Sequence, residues 1–260
     1  MKSPKIIQAE FKERLYRRRF ILPNAVTVGA LFCGFLACIY GATGQFQKAA
    51  IAIGISIILD GLDGRVARRL NATSKFGLEF DSLSDVISFG VAPAILAYFW
   101  CFRSLADQFG VFLSFLYVLA AAGRLARFNN NADELKSFNG LPTPGAAGVV
   151  ASLSNFWPSA LPPNFLLTTT FSVGLLGLAF LMVSNVQFFS IKLIRVSTFT
   201  LRTLIAVGAL IGLTWYDHQI GLMVLAFGYV LSGPIGLITK YKNGKDALVF
   251  SHTEDSGRVA

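Results

Sequence analysis

Four aspartates, Asp60, Asp63, Asp81 and Asp85, stand in a stretch of chain that is strongly apolar on either side. A carboxylate in hydrocarbon costs roughly 2.5–3.5 kcal/mol on insertion scales, so four of them near membrane depth require a counter-charge or a water-filled cavity. The first two are three residues apart and the last two are four apart, so on helices each pair shares a face. A short hairpin between the helices would oppose the pairs and create an all-oxygen site suited to Mg²⁺ or Mn²⁺, or to Ca²⁺ with a larger ligand shell. Between the pairs, Gly64 and Gly77 let a ligand approach the backbone, Ala67 leaves room, Arg68 can neutralise phosphate and Ser74 can add a hydroxyl. That set suits an activated diphosphate, bridged by metal while one phosphorus is attacked. A solvated loop with salt bridges to Arg65, Arg68, Arg69 and Lys75 is the plainer reading; two pairs in register with flanking glycines favour the site.

The elements that must position these groups are membrane helices. With 54% hydrophobic and 14% charged residues and a mean hydropathy of +0.59, the 260-residue chain is too apolar for a soluble domain. Hydropathy separates eight candidate spans at 21–40, 49–70, 77–100, 108–128, 143–161, 164–183, 201–216 and 219–239, each near the ~20 residues that cross a bilayer. Their unbroken apolar runs lack the period-two alternation of a barrel. The expected fold is therefore all-α, a polytopic transmembrane bundle of about eight spans. It divides into a basic interfacial segment at 1–20, a membrane-embedded catalytic domain at 21–240 and a polar tail at 241–260. The first segment carries seven cations and two acids and does not read as a cleaved signal.

The net charge of +9 does not indicate nucleic acid, because its distribution is topological. All Lys and Arg except Lys48 and Arg103 fall on the first segment, the even-to-odd connections or the tail. The positive-inside rule then puts both termini and the Asp-rich connection in the cytoplasm, where the charge can also hold anionic lipid. Cys33, Cys38 and Cys101 have no metal-type spacing and read as buried small residues.

The pattern Asp60-x2-Asp63-Gly64-x2-Ala67-Arg68-x8-Gly77-x3-Asp81-x3-Asp85 resembles the signature of the CDP-alcohol phosphotransferases at every fixed position. The resemblance implies that the four aspartates hold two divalent ions, that Gly64, Ala67, Arg68 and Gly77 border the CDP moiety, and that Asp85 is the base. Asn24 and Thr27 resemble a family feature near the nucleotide, with a helix cap and a packing hydroxyl as their plainer reading. A homodimer is likewise implied.

Further stretches resemble the membrane-embedded phosphatidylserine synthases of bacteria and archaea: Leu22-Pro23-Asn24 with Gly34-Phe35, Ser88 to Pro93, Gly123 to Asn129, Phe138 to Pro144, and Leu181 to Ser184. This implies CDP-diacylglycerol and L-serine as substrates, at a site on the cytoplasmic side of the cytoplasmic membrane. Arg124 and Arg127 could match the serine carboxylate, with Asn129 a further polar candidate; lipid phosphate binding and snorkelling compete for the arginines. Glycerol 3-phosphate or inositol phosphate as acceptor is the alternative within the family. A prenyltransferase is disfavoured by the Gly-x2-Ala-Arg-x8-Gly spacer. A divalent-cation transporter would place its acids near the midplane in repeated broken helices, and no matching second half is visible.

Overall fold

The computed structural model describes residues 21–70, 72, 74–104, 107–130, 140–186, 212–214, 216–234 and 236. The described residues are helical and contain no strand. In chain order the helices are α1 (Ile21–Ala42), α2 (Phe46–Arg69), α3 (Lys75–Phe102), α4 (Asp107–Asn130), α5 (Thr143–Phe156) and α6 (Phe165–Val183), and residues 218–234 form a further helical stretch, α7. Among the described residues, four stretches are long and apolar enough to cross a membrane: Leu22–Ala42, Lys75–Phe102, Gln108–Asn129 and Phe165–Val183. The expected segments 1–20 and 241–260, and most of the expected span 201–216, lie outside the described residues.

The expected span 143–161 is cut short. Helix α5 ends at Phe156 and rises only about 21 Å. Trp157 precedes Pro158, whose ring disfavours helical backbone at the residue before it, and Trp157 takes φ −120°, ψ 84°. The connection is then tied down by Trp100, whose Nε1 donates to the Trp157 carbonyl at 2.9 Å while its own carbonyl accepts from Leu161 N at 2.9 Å. Asn164 restarts the chain as a helix cap, its Oδ1 accepting from Leu166 N and Leu167 N.

Helix α3 is the centre of the bundle: 61% of its apolar window is buried, against 28–33% in the other three. Helices α1 and α2 form an antiparallel hairpin through Thr43, Gly44 and Gln45, where Gly44 adopts φ +77°. Helix α1 then lies directly on α3. A Cβ on Gly34 would come within 2.8 Å of Ser88 Cα, so only glycine permits this approach there, and one on Gly41 would lie a tight 3.3 Å from Leu96 Cα. The hydroxyls of Ser56 on α2 and Ser88 on α3 both donate to the Ala30 carbonyl of α1, at 2.9 and 3.3 Å, joining three helices at one acceptor.

Within α3 the backbone widens to π geometry at Val86–Val91 and Tyr98–Phe102. Pro93 follows the first of these and has no N–H to offer the carbonyl of Phe89 four residues earlier. Tyr117 of α4, fully buried, donates its hydroxyl to that carbonyl at 3.3 Å. The helix break is thus a docking point for α4. Phe89, Leu96, Trp100, Phe102, Leu113 and Tyr117 form the bulky part of the core, whereas Phe32, Phe35, Phe115 and Phe180 face outward, as helices in lipid require.

Candidate active site

The α2–α3 hairpin is closed by local bonds. Leu70 N donates to Val66 O at 3.0 Å and Ala72 N to Ala67 O at 2.9 Å, ending α2. Ser74 caps α3, its Oγ accepting from Gly77 N at 3.0 Å. A Cβ on Gly77 would lie 3.1 Å from Ser74 Oγ and 3.4 Å from Asn24 Oδ1, so the glycine lets the start of α1 close onto the start of α3.

Beyond this turn the two aspartate pairs face each other. Carboxylate oxygens of Asp60, Asp63 and Asp81 all lie within 4.8 Å of one another. Asp85 stands outside that trio, and its carboxyl comes within hydrogen-bonding reach of Asp60, as Asp81 does of Asp63. Asp63 is buried and accepts a hydrogen bond from Thr27 Oγ1 of α1 at 3.0 Å; the same hydroxyl lies 3.2 Å from Pro23 O. Thr27 therefore holds a carboxylate in place, a role its position in the sequence did not reveal.

Two carboxylates at that separation repel by about 3.5 kcal/mol at an effective dielectric of about 20. No ion pair among the described residues relieves the cluster, and Asp81 Oδ1 is buried without a hydrogen-bond partner. Hard oxygen donors, clustered charge and an orphaned lone pair fit a divalent cation. The acidic trio can hold such an ion.

The other residues anticipated from sequence separate in space. Gly64 and Ala67 lie half-buried on the aspartate-bearing part of α2, and a Cβ on Gly64 would meet only the Arg68 guanidinium, at 3.7 Å. Arg68 is exposed. Arg124 is buried at 9% exposure, within electrostatic range of Asp85; its Nη1 approaches Thr143 Oγ1 at 3.5 Å and its Nε has no partner. Arg127 turns elsewhere, to the end of α6, donating to Val183 O at 3.0 Å and Asn185 Oδ1 at 3.3 Å. Asn129 bonds Ser82 of α3, its Nδ2 donating to Ser82 Oγ at 2.9 Å. Of the three groups anticipated for an acceptor, Arg124 comes within electrostatic range of Asp85, Asn129 is bonded to Ser82 next to Asp81, and Arg127 is directed away to α6. Thr143 and Tyr229, both near Arg124, were not anticipated; the Thr-Pro helix start at 143–144 was the available signal for the first.

Comparison with known proteins extends over most of this architecture. The model of the CDP-alcohol phosphatidyltransferase family matches residues 20–232. A CDP-diacylglycerol–serine O-phosphatidyltransferase of Helicobacter pylori (strain ATCC 700392 / 26695) is 42% identical over 181 residues, covering 68% of this chain and 75% of the relative. One of Bacillus subtilis (strain 168) is 34% identical over 167 residues, covering 64% and 89%. An archaetidylserine synthase of Methanothermobacter thermautotrophicus is 35% identical over 174 residues, covering 64% and 69%.

Proposed function

The chain belongs to the CDP-alcohol phosphatidyltransferase family, and from that premise we propose its reaction: it transfers the phosphatidyl group of CDP-diacylglycerol to the hydroxyl of L-serine, giving phosphatidylserine and CMP. The observation that carries this reading is the joining of two facts. Relatives at 34–42% identity are named for serine transfer, and the chain brings three of its four signature aspartates to one cluster with the fourth, Asp85, next to Asp60.

Asp60, Asp63 and Asp81, with Asp85 beside them, are the residues that would hold the metal, read as two ions of Mg²⁺ or Mn²⁺, with Ca²⁺ able to occupy the site. Bound there, divalent metal neutralises the diphosphate and stabilises charge developing on the leaving phosphate. Thr27 keeps Asp63 oriented. Gly64 and Ala67 leave the backbone of α2 open to the CDP moiety, Arg68 pairs with phosphate, and Gly77, packed against Asn24 and Ser74, sets those two polar groups beside the CDP moiety at the hairpin end.

Asp85 is set apart from the trio and takes the proton of the serine hydroxyl. The serine oxygen forms a bond to the lipid-side phosphorus as the bond from that phosphorus to the CMP oxygen breaks, and CMP departs with the electron pair. Arg124, buried with an unpartnered Nε and facing Asp85, receives the serine carboxylate. The further elements of this reading are eight spans with both termini in the cytoplasm, the division at residues 20 and 240, an active site facing the cytoplasm from the cytoplasmic membrane, and a homodimer. The charge distribution supports the cytoplasmic placement of the termini and the site, the four crossing-length helices support a polytopic bundle, and the homodimer rests on the family resemblance alone.

The test is CMP release from CDP-diacylglycerol by purified protein in detergent with Mg²⁺ or Mn²⁺, comparing L-serine, glycerol 3-phosphate, inositol phosphate and no acceptor. Serine-dependent release is expected. Release with another acceptor would overturn the substrate, and no release from folded protein would overturn the activity.

A further inference from the structure

Arg124, Arg127 and Asn129 stand in the last turns of α4, and these three point three ways. Arg124 faces the aspartates, Asn129 is bonded to Ser82 beside Asp81, and Arg127 reaches the C-terminal end of α6. That end is unusually well satisfied. Leu181 O accepts from Leu141 N at 2.9 Å, Val183 O from Arg127 Nη1 at 3.0 Å, Ser184 O from Arg127 Nη2 at 3.5 Å and Val186 O from Gly140 N at 2.8 Å. A helix leaves its final carbonyls without intrahelical partners and carries partial negative charge there, so a guanidinium fork is a matched cap.

Gly140 makes the cap possible. It adopts φ +86°, and a Cβ there would come within 3.0 Å of Ser184 O and 3.2 Å of Arg127 Nη2. The chain can therefore pass between the guanidinium and the helix end only as glycine, after which Leu141 is wholly buried and Thr143 starts α5 beside Arg124. One clasp thus fixes α4, the start of α5 and the end of α6 together.

On a helix, residues three apart are separated by about 60° in azimuth and ~4.5 Å in height. Anchoring Arg127 on α6 therefore sets both the rotation and the height at which Arg124 is presented. We propose that Arg127, clasped with Gly140 on the end of α6, is a positioning residue for acceptor recognition, acting through Arg124 and making no contact with the acceptor itself. The inference rests on the reading of Arg124 as the carboxylate-binding group.

The test is steady-state kinetics of the full chain in detergent, varying serine and CDP-diacylglycerol separately, for Arg124→Gln, Arg127→Gln, Arg127→Lys and the Arg124→Gln/Arg127→Gln double variant, with thermal melting of each. Arg127→Gln is expected to raise the KM for serine about tenfold, equivalent to ~1.4 kcal/mol, with kcat and the KM for CDP-diacylglycerol held within about twofold. Lysine, which keeps one donor to the Val183 carbonyl, should recover part of the loss. The double variant should be no worse than Arg124→Gln alone, because a residue acting through Arg124 has nothing left to position. Additive losses, or an equal rise in both KM values, would overturn the inference. A raised serine KM in Arg124→Gln with none in Arg127→Gln would overturn it while sparing the acceptor reading, whereas an unchanged serine KM in Arg124→Gln would remove the acceptor reading and the inference together. If Arg127→Gln does not fold, Arg127→Lys carries the same comparison.

Discussion

Replacing Thr27 by valine keeps the volume and β-branching of the side chain and removes the hydroxyl that donates to Asp63 Oδ2 at 3.0 Å. A hydrogen bond to a charged group contributes about 1.5–3 kcal/mol, and here the hydroxyl is buried, shared with Pro23 O and aimed at a carboxylate of the acidic trio. If that contribution is felt as orientation of Asp63 toward the ion, the loss converts to roughly 10–100-fold in metal affinity, the range usual for partners that orient a ligand. Mn²⁺ titration followed by electron paramagnetic resonance reads this without turnover, and the Mn²⁺ concentration for half-maximal CMP release reads it again. Thr27→Val should shift both upward by that factor and recover near-normal turnover at saturating Mn²⁺, while Thr27→Ser should behave as the parent. Unchanged metal affinity in Thr27→Val, with normal melting, would refute the reasoning and return Thr27 to a packing role.

Asp85→Asn should leave CDP-diacylglycerol binding and melting close to the parent and reduce turnover by about 10²–10⁴-fold, the contribution usual for a positioned base; turnover within twofold would remove that assignment. Chelation should abolish CMP release and readdition of Mn²⁺ should restore it, and release that survives exhaustive chelation would exclude the metal-dependent reading. Gly34→Ala drives a methyl group against Ser88 of α3 and should destabilise the bundle by about 1–3 kcal/mol, read as a lowered melting temperature in detergent, whereas Ala at Gly54, where a Cβ meets nothing within 4 Å, should not. Tyr117→Phe leaves the Phe89 carbonyl without its donor and should cost about 1–3 kcal/mol by the same assay.

Much of the helical architecture was legible because its signals are local. The span expected at 77–100 is found within Lys75–Phe102, that at 108–128 within Asp107–Asn130, and that at 164–183 as Phe165–Val183. Where expectation and structure part, at 143–161, the cause was also local and present in the chain: Pro158 stops α5, and hydropathy averaging passed over it. The π segments of α3 were not legible, since Pro93 announces a break but not the tyrosine from another helix that satisfies it.

The sequence by itself determined the chemistry available. The aspartate spacings put each pair on one helical face, and the short connection between their helices left little choice but to oppose them. What only the tertiary structure decided is how the remaining polar groups are divided. Arg124 and Arg127 have the same residue type, lie one turn apart and carry the same charge, yet one is buried near Asp85 and the other caps α6, because their directions depend on which helices pack around α4. Thr27 likewise became a partner of Asp63 only when Gly34 and Gly41 let α1 settle onto the α2–α3 hairpin. Periodicity is a property of one helix, but the partner a side chain meets is a property of the crossing between two.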